Sequence, residues 1–425
     1  MKIDEVYSFI HETCWQSTQP GLDRIKELME FMGNPQNDMK YIHIAGTNGK
    51  GSTAAMLAAV LTRAGYKTGL YTSPHIYRFN ERMQINGEMI SDEEICELAD
   101  YIKPFTEKMS QAPTEFELIS AFGFEYFKRK KCQIVVLEVG LGGRMDSTNI
   151  IPSPEVAVLT AIGLDHTGVL GNSLTEIARE KAGIIKAGCH AVIYRQEEDV
   201  EQVFIDKCRE VGATYHLCQP EEVIRRSIDW DRQRVDYKEY KDLEVPLTGS
   251  YQINNLSMVL KTVEILNEKG YNIGAGVLKE GLASVKWPCR FEVLMKNPVF
   301  IIDGAHNPQG IEATAESLRL HSGDRKIIFV IGVMADKDLD TMIPAIADLA
   351  GEFIAVTPDY PGRAMDAKIL KEHLDKYNVP VMAAGSIKEG VKTALEHAGT
   401  DGIICALGSL YMPIDVKKSL EELLN

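Results

Sequence analysis

Tyr41-Ile42-His43-Ile44-Ala45-Gly46-Thr47-Asn48-Gly49-Lys50-Gly51-Ser52-Thr53 is the stretch on which the reading of this chain turns. Tyr41 to Ala45 is a short apolar, partly β-branched run suited to a buried parallel strand. Thr53 to Arg63 is rich in alanine and leucine and suits a helix. Between them lie three glycines and one lysine. Glycines let the backbone curl with its N–H groups inward, the following helix N-terminus adds positive dipole, and Lys50 brings a mobile charge to terminal phosphates. The stretch reads as a phosphate-binding loop, with the Ser52 hydroxyl available to Mg²⁺. It departs from the usual G-x-x-x-x-G-K-[ST] spacing: Ile44 stands where the first glycine should be, and Gly51 separates Lys50 from Ser52. The competing reading is a glycine-rich turn with a solvated lysine.

The remaining strands carry polar residues at their ends. Lys67 to Thr72 reads as a strand leading into Thr72-Ser73-Pro74-His75. Ile134 to Val139 reads as an apolar strand ending in Glu138 and running into Gly140-Leu141-Gly142-Gly143-Arg144-Met145-Asp146. A carboxylate there, downstream of a phosphate loop, is the expected place for a Mg²⁺-organising group, or else a capping or salt-bridged glutamate. Val156 to Ala161 is followed by Gly163-Leu164-Asp165-His166. By itself His166 is an ordinary loop histidine, but open parallel sheets bind ligands along the C-terminal edge of their strands. Lys181, in a helix read over Ser173 to Ile185, looks like a solvated helix lysine. The segment Arg78 to Glu88 suits either a substrate loop or a surface hairpin.

At 425 residues the chain exceeds what one core normally supports, and two domains are expected. Residues 1 to 40 read as two short helices around a polar turn, Gln16 to Gly21. Helices are expected over Ser91 to Lys103, Phe116 to Lys130, Tyr251 to Glu268 and Gly276 to Ala283. Arg225 to Lys241 mixes charge with β-formers and reads as an antiparallel hairpin pair at a sheet edge. Trp287-Pro288-Cys289-Arg290-Phe291 reads as a hinge. After it, strands at 299–303, 326–331, 353–357, 379–383 and 402–406 alternate with helices, one of them from Leu339 to Ala350. The fold class is therefore α/β. A phosphate-loop parallel sheet flanked by helices, with a small antiparallel sheet, occupies residues 1–288, and a smaller Rossmann-like domain occupies 289–425.

A net charge of −15 argues against a nucleic-acid backbone or an anionic membrane as partner. No run approaches a membrane span, and no signal peptide is read at the N-terminus. The eight cysteines are scattered without a C-x-x-C pair, which fits reduced thiols in a cytoplasmic protein. Monomer is the default expectation.

Taken together, Gly46 to Ser52, Thr72 to His75, Glu138 to Arg144, Gly163 to His166, Glu180-Lys181-Ala182-Gly183, Trp287 to Glu292 and Asp303-Gly304-Ala305-His306-Asn307-Pro308 resemble the folylpolyglutamate synthase/dihydrofolate synthase family of the Mur-ligase superfamily. The resemblance runs from about Pro20 to Tyr411. It implies an ATP-dependent ligase that joins L-glutamate to dihydropteroate, or to a folate already carrying glutamate, through an acyl phosphate. Thr47, Asn48, Gly49, Lys50, Gly51 and Ser52 would wrap the ATP phosphates, and Asn255, Arg290, Asp303 and His306 would complete the nucleotide contacts. Ser52, Ser73 and Glu138 would hold a first Mg²⁺ and His166 a second. Lys181 matches a lysine that members of the family carry as a carbamate. Pro20-Gly21, Thr114-Glu115-Phe116-Glu117 and Met145-Asp146-Ser147 would line the pteroate side. Lys50, Lys181, His166 and Glu138 would form the catalytic set. Two departures stand out: Cys289 where many relatives have glycine, and Tyr251 where a histidine is common.

Other readings are a Mur-type ligase acting on a cell-wall nucleotide and a phosphate-loop ATPase switch without ligase activity. A dinucleotide oxidoreductase fits poorly, because no G-x-G-x-x-G follows the first strand.

Overall fold

The computed structural model describes residues 1–12 and 21–424. Among the described residues the first sheet contains β1 (Lys40–Ala45), β2 (Thr68–Tyr71), β3 (Met83–Ile85), β4 (Glu88–Met89), β5 (Ile134–Glu138), β6 (Val156–Leu159), β7 (His190–Ile193) and β8 (Thr214–Leu217), in the order β4-β3-β2-β5-β1-β6-β7-β8. From β2 across to β8 the neighbours pair in parallel. β1 sits inside this parallel set with Tyr41 to Ala45 buried without alternation, as expected of a strand covered on both sides. β3 and β4 form an antiparallel hairpin against β2. Its turn, Asn86-Gly87, takes φ of 53° and 84°, a left-handed pair that these two residue types accept.

The helices Ile3–Glu12, Asp23–Phe31, Asp92–Thr106 and Glu115–Arg129 share an apolar cluster with this sheet that includes Tyr41, Tyr71, Phe122, Phe124 and Phe127. A second cluster joins Leu159, Ile177, Ala191 and Phe204. It spans β6, the helix Leu174–Ala182, β7 and the helix Glu198–Val211, and β7, β8 and the last helix continue the strand–helix alternation beyond the elements expected from sequence. The helix after the glycine loop begins at Lys50, three residues earlier than expected, because Gly49 turns into it with φ of 87°. The polar turn at Gln16 to Gly21 lies outside the described residues except for Gly21.

β9 (Val223–Ile228), β10 (Gln233–Tyr237) and β11 (Tyr240–Val245) form a separate three-stranded sheet, β11-β10-β9, rather than a hairpin at the edge of the large one. The third sheet, β12 (Glu292–Lys296), β13 (Val299–Ile302), β14 (Ile327–Ile331), β15 (Ala350–Ala355), β16 (Val381–Ala383) and β17 (Ile403–Leu407), has the order β12-β13-β17-β14-β15-β16. Five of its strands are parallel, and β12, absent from the sequence reading, is an antiparallel edge. The expected helix from Leu339 to Ala350 is instead two single turns, Leu339–Met342 and Pro344–Ala347. Pro344 has no N–H to continue the first, and Ala350 already belongs to β15.

Two compact units result, Met1–Val223 with Asn254–Ser284, and Ile224–Ile253 with Val285–Asn425. The three-stranded sheet thus packs with the second unit. In that unit Trp230 stacks on His321 at 4.6 Å and lies parallel to Phe291 at 6.5 Å, and the Lys296 ammonium reaches Asp231 at 2.7 Å. No helix among the described residues is long and apolar enough to cross a membrane.

Candidate active site

In the first unit the parallel register brings four strand ends to one edge. Ile44 lies opposite Glu138, Ala45 opposite Leu159, and Tyr71 opposite Leu137. The glycine loop, Thr72-Ser73, Glu138 and Thr160 to His166 therefore emerge side by side, on the edge where open α/β sheets take ligands.

The loop is held from beneath. The N–H groups of Thr47 and Asn48 donate to the Ala161 carbonyl at 2.8 and 3.3 Å, and the Thr160 hydroxyl donates to the Asn48 carbonyl at 2.7 Å. A Cβ on Gly46 would stand 1.7 Å from Thr160 Oγ1, and one on Gly49 would stand 2.3 Å from Asn255 Oδ1. Only glycine fits at either place, and Asn255 packs against the turn as a result. The helix Lys50–Arg63 then opens with its dipole toward the loop, and its first N–H groups lack intrahelical acceptors, which is an anion-binding arrangement.

Two lysines meet at one carbonyl of this loop. Lys50 Nζ donates to the Gly46 and Thr47 carbonyls at 3.0 and 3.1 Å, and Lys181 Nζ donates to the Gly46 carbonyl at 2.8 Å. Lys181 is only 4% exposed, which corrects its reading as a solvated helix lysine. Burial, reinforced by the charge of Lys50, pulls its ammonium down to about 7, against smaller opposing effects from Asp165 and Asp146. The helix carrying it packs tightly on the glycine-rich loop after β5. A Cβ on Gly143 would meet Lys181 Cα at 3.0 Å, and Arg144 bridges Glu180 at 2.8 Å.

Glu138 is buried and its Oε2 accepts the Ser73 N–H at 3.1 Å, so two of the expected metal-binding residues touch. Ser52 is buried in the first helical turn. His166 is different: its backbone is left-handed at φ 50°, its side chain is 58% exposed, and Asp165 Oδ2 lies 3.9 Å from its Nε2.

The expected pteroate residues divide into scaffold and wall. Thr114 and Glu117 cap each other, and Arg24 Nε donates to Glu117 at 3.0 Å, which is helix-start architecture. His11 reaches Glu115 at 3.3 Å. The Phe116 ring lies directly over Gly140, where a Cβ would be 2.3 Å away. Ser147 is bonded to Ser120 at 2.6 Å, and Met145 is exposed. Asp146 accepts from the Leu141 and Thr148 N–H groups at 2.9 and 3.0 Å, while its burial raises its carboxyl above the usual range. Pro20 lies outside the described residues; Gly21 has open space where a Cβ would be.

In the second unit, Asp303 is an acceptor hub. It takes the Phe291 N–H at 2.7 Å, the Ala305 N–H at 2.8 Å and the Tyr251 hydroxyl at 3.1 Å. Its burial raises its carboxyl, against the pull of Arg290. Tyr251 therefore supplies a hydroxyl to this aspartate. Arg290 Nη1 donates to the Cys289 carbonyl at 3.0 Å, and His306 Nδ1 lies 2.9 Å from the Gly304 carbonyl. Cys289 adopts φ 55°, a left-handed conformation that explains why glycine suits this position.

The Mur ligase middle domain family matches residues 44–263, and the Mur ligase, glutamate ligase domain family matches residues 289–410. The chain is 35% identical to dihydrofolate synthase/folylpolyglutamate synthase of Bacillus subtilis (strain 168), over 97% of this chain and 98% of the relative. Among solved structures it is similar to Mycobacterium tuberculosis folylpolyglutamate synthase complexed with ADP, with a TM-score of 0.89, 31% identity and coverage of 99% and 98% of the two chains. It is similar also to E. coli FolC in complex with DHPP and ADP, with a TM-score of 0.89, 26% identity and coverage of 100% and 99%. These full-length likenesses, with both ligase domains matched in order around the loop and the Asp303 hub, mean that the chain belongs to the dihydrofolate synthase/folylpolyglutamate synthase family of Mur ligases, which are ATP-dependent amino-acid ligases.

Proposed function

We propose that this chain transfers the γ-phosphoryl group of ATP to the carboxylate of dihydropteroate, or of a reduced folate's glutamate tail, and that the amine of L-glutamate then displaces phosphate to form an amide. ADP and phosphate are the other products. The observation that carries the reading is the shared strand edge, where Lys50, Lys181, Glu138 and Ser73 stand beside Phe116, Asp146 and Ser147. Functionally, residues 1–288 would take ATP and the pteroate acid and residues 289–425 would serve the glutamate-ligase step, a division supported by the two family matches.

Phosphoryl transfer asks a protein for position and charge neutralisation more than for acid–base chemistry. Thr47 to Ser52 would cradle the phosphates, with Lys50 leaving the Gly46 and Thr47 carbonyls to reach them. Arg290, Asp303 and His306 would be further nucleotide contacts, and Asn255 would support the loop at Gly49. The donor set fits Mg²⁺. Ser52, Ser73 and Glu138 offer oxygens, and among the described residues no group of three or more His, Cys, Asp or Glu side chains could hold a metal on its own. That suits an ion completed by nucleotide phosphates and water. Ser52, Ser73 and Glu138 would hold one Mg²⁺ and His166 a second; when bound, these ions neutralise phosphate charge. Lys181 is about half neutral near pH 7, and the neutral amine is the form that takes up CO₂ as a carbamate, which would make it an anionic oxygen ligand. The protein would act as a cytoplasmic monomer on small molecules.

The test is glutamate-dependent phosphate release from MgATP, with dihydropteroate and tetrahydrofolate supplied separately and the products weighed by mass spectrometry. Each accepted acid should gain one glutamyl residue. ATP hydrolysis without either product would refute the proposal.

A further inference from the structure

Arg82 ends the short turn Phe79–Arg82 that precedes β3, and it is only 9% exposed. Its Nε donates to His75 Nδ1 at 2.9 Å. The His75 ring thus presents the lone pair of Nδ1 to the guanidinium. The guanidinium carbon stands 5.8 Å from the centre of the Phe79 ring. Among the described residues that is the whole of its pairing. Among the described residues its two terminal amino groups, which carry four N–H donors in a planar fork, meet no acceptor and no ion-pair partner.

The neighbouring carboxylates are committed elsewhere. Glu81 accepts the N–H groups of Ile76, Tyr77 and Arg78 at 2.7, 2.8 and 3.0 Å; Glu138 accepts from Ser73, and Glu115 meets His11. The fork is not fully buried and stays open to solvent, so it is available to an incoming anion, and a carboxylate matches it with two parallel hydrogen bonds. The surroundings say which anion. Arg82 feels the charges of both Glu115 and Glu138, and the Tyr71 phenol beside it packs edge-on against Phe116 at 6.3 Å. Its place is thus between Glu115 of the expected pteroate wall and Glu138 at the strand end. We propose that Arg82 binds the carboxylate of the acid substrate, with His75 and Phe79 fixing the direction of the fork. This rests on the pteroate and folate reading above.

Arg82→Gln and Arg82→Lys variants of the full chain test it by titration with dihydropteroate, with its carboxamide analogue and with ADP. Wild-type protein should prefer the acid. In Arg82→Gln the acid should weaken by about 10- to 100-fold, to the level of the carboxamide. The carboxamide and ADP should change by less than about twofold, and Arg82→Lys should recover part of the loss. Equal loss of acid and carboxamide in Arg82→Gln, or loss of neither, overturns the assignment while the function stands. Wild-type protein that binds and glutamylates neither dihydropteroate nor tetrahydrofolate overturns the function and this assignment with it.

Discussion

Replacing Lys181 by methionine is expected to stabilise the protein while ending its activity. Holding the Lys181 ammonium at about 7 instead of 10.5 corresponds to about 5 kcal/mol of disfavoured charge, at about 1.4 kcal/mol per pH unit. The unfolded chain keeps its proton up to about pH 10.5, whereas the folded protein releases it near 7. The penalty is therefore complete below pH 7 and fades between 7 and 10.5, so this group makes wild-type stability rise with pH across that window. Methionine has similar length, carries no charge and removes one hydrogen bond to the Gly46 carbonyl, which still receives Lys50. That loss is about 1 kcal/mol. Lys181→Met should then be more stable than wild type by about 2 to 4 kcal/mol at pH 6, with the gap closing toward pH 9.5. Urea unfolding of both proteins in carbonate-free buffer measures this, and ligase assays should find no turnover in the variant. A variant less stable than wild type at pH 6, or a gap that does not narrow with pH, would refute the burial argument.

Gly46→Ala puts a methyl group 1.7 Å from Thr160 Oγ1 and should destabilise by at least about 2 kcal/mol in urea unfolding, with Thr160→Ala in the same chain restoring part of it. Tyr251→Phe removes one of three donors to Asp303 and should lower stability by about 1 kcal/mol, read from the thermal midpoint, with a raised KM for ATP. His166→Ala, at an exposed side chain, should leave stability within about 0.5 kcal/mol while reducing kcat by at least about 10-fold, and unchanged kcat would remove His166 from the catalytic set.

The large parallel sheet was legible because β5 and β6 are uninterrupted apolar runs, and β1, broken only by the buried His43, leads straight into the glycine loop, a pattern that burial on both faces imposes on a strand. β7 and β8 were passed over because His190, Thr214 and His216 break up their apolar runs. β12, Glu292–Lys296, has only one protein neighbour in its sheet and no need of a continuous apolar run. At the site, residue types and their order along the chain marked the loop, Glu138 and Asp303. The burial of Lys181 left no local signature, since it comes from a glycine-rich loop 38 residues upstream at Gly143 that lets two backbones close up. Arg82 carries no sequence signal of its own, because sequence does not reveal that among the described residues its guanidinium meets His75 and the Phe79 ring and no carboxylate.

The second unit is assembled from two separated pieces of chain, Ile224–Ile253 and Val285–Asn425. A fragment beginning at residue 285 would be a natural choice for expression, since it includes every residue of the matched glutamate ligase domain. It would nonetheless be an incomplete body. It would lack Tyr251, the hydroxyl donor to Asp303, and Trp230, whose ring covers Phe291 and His321. Those two aromatic faces would be left to solvent, making such a fragment prone to aggregation. A soluble version would need residues 224–253 grafted back by a linker or supplied as a second polypeptide.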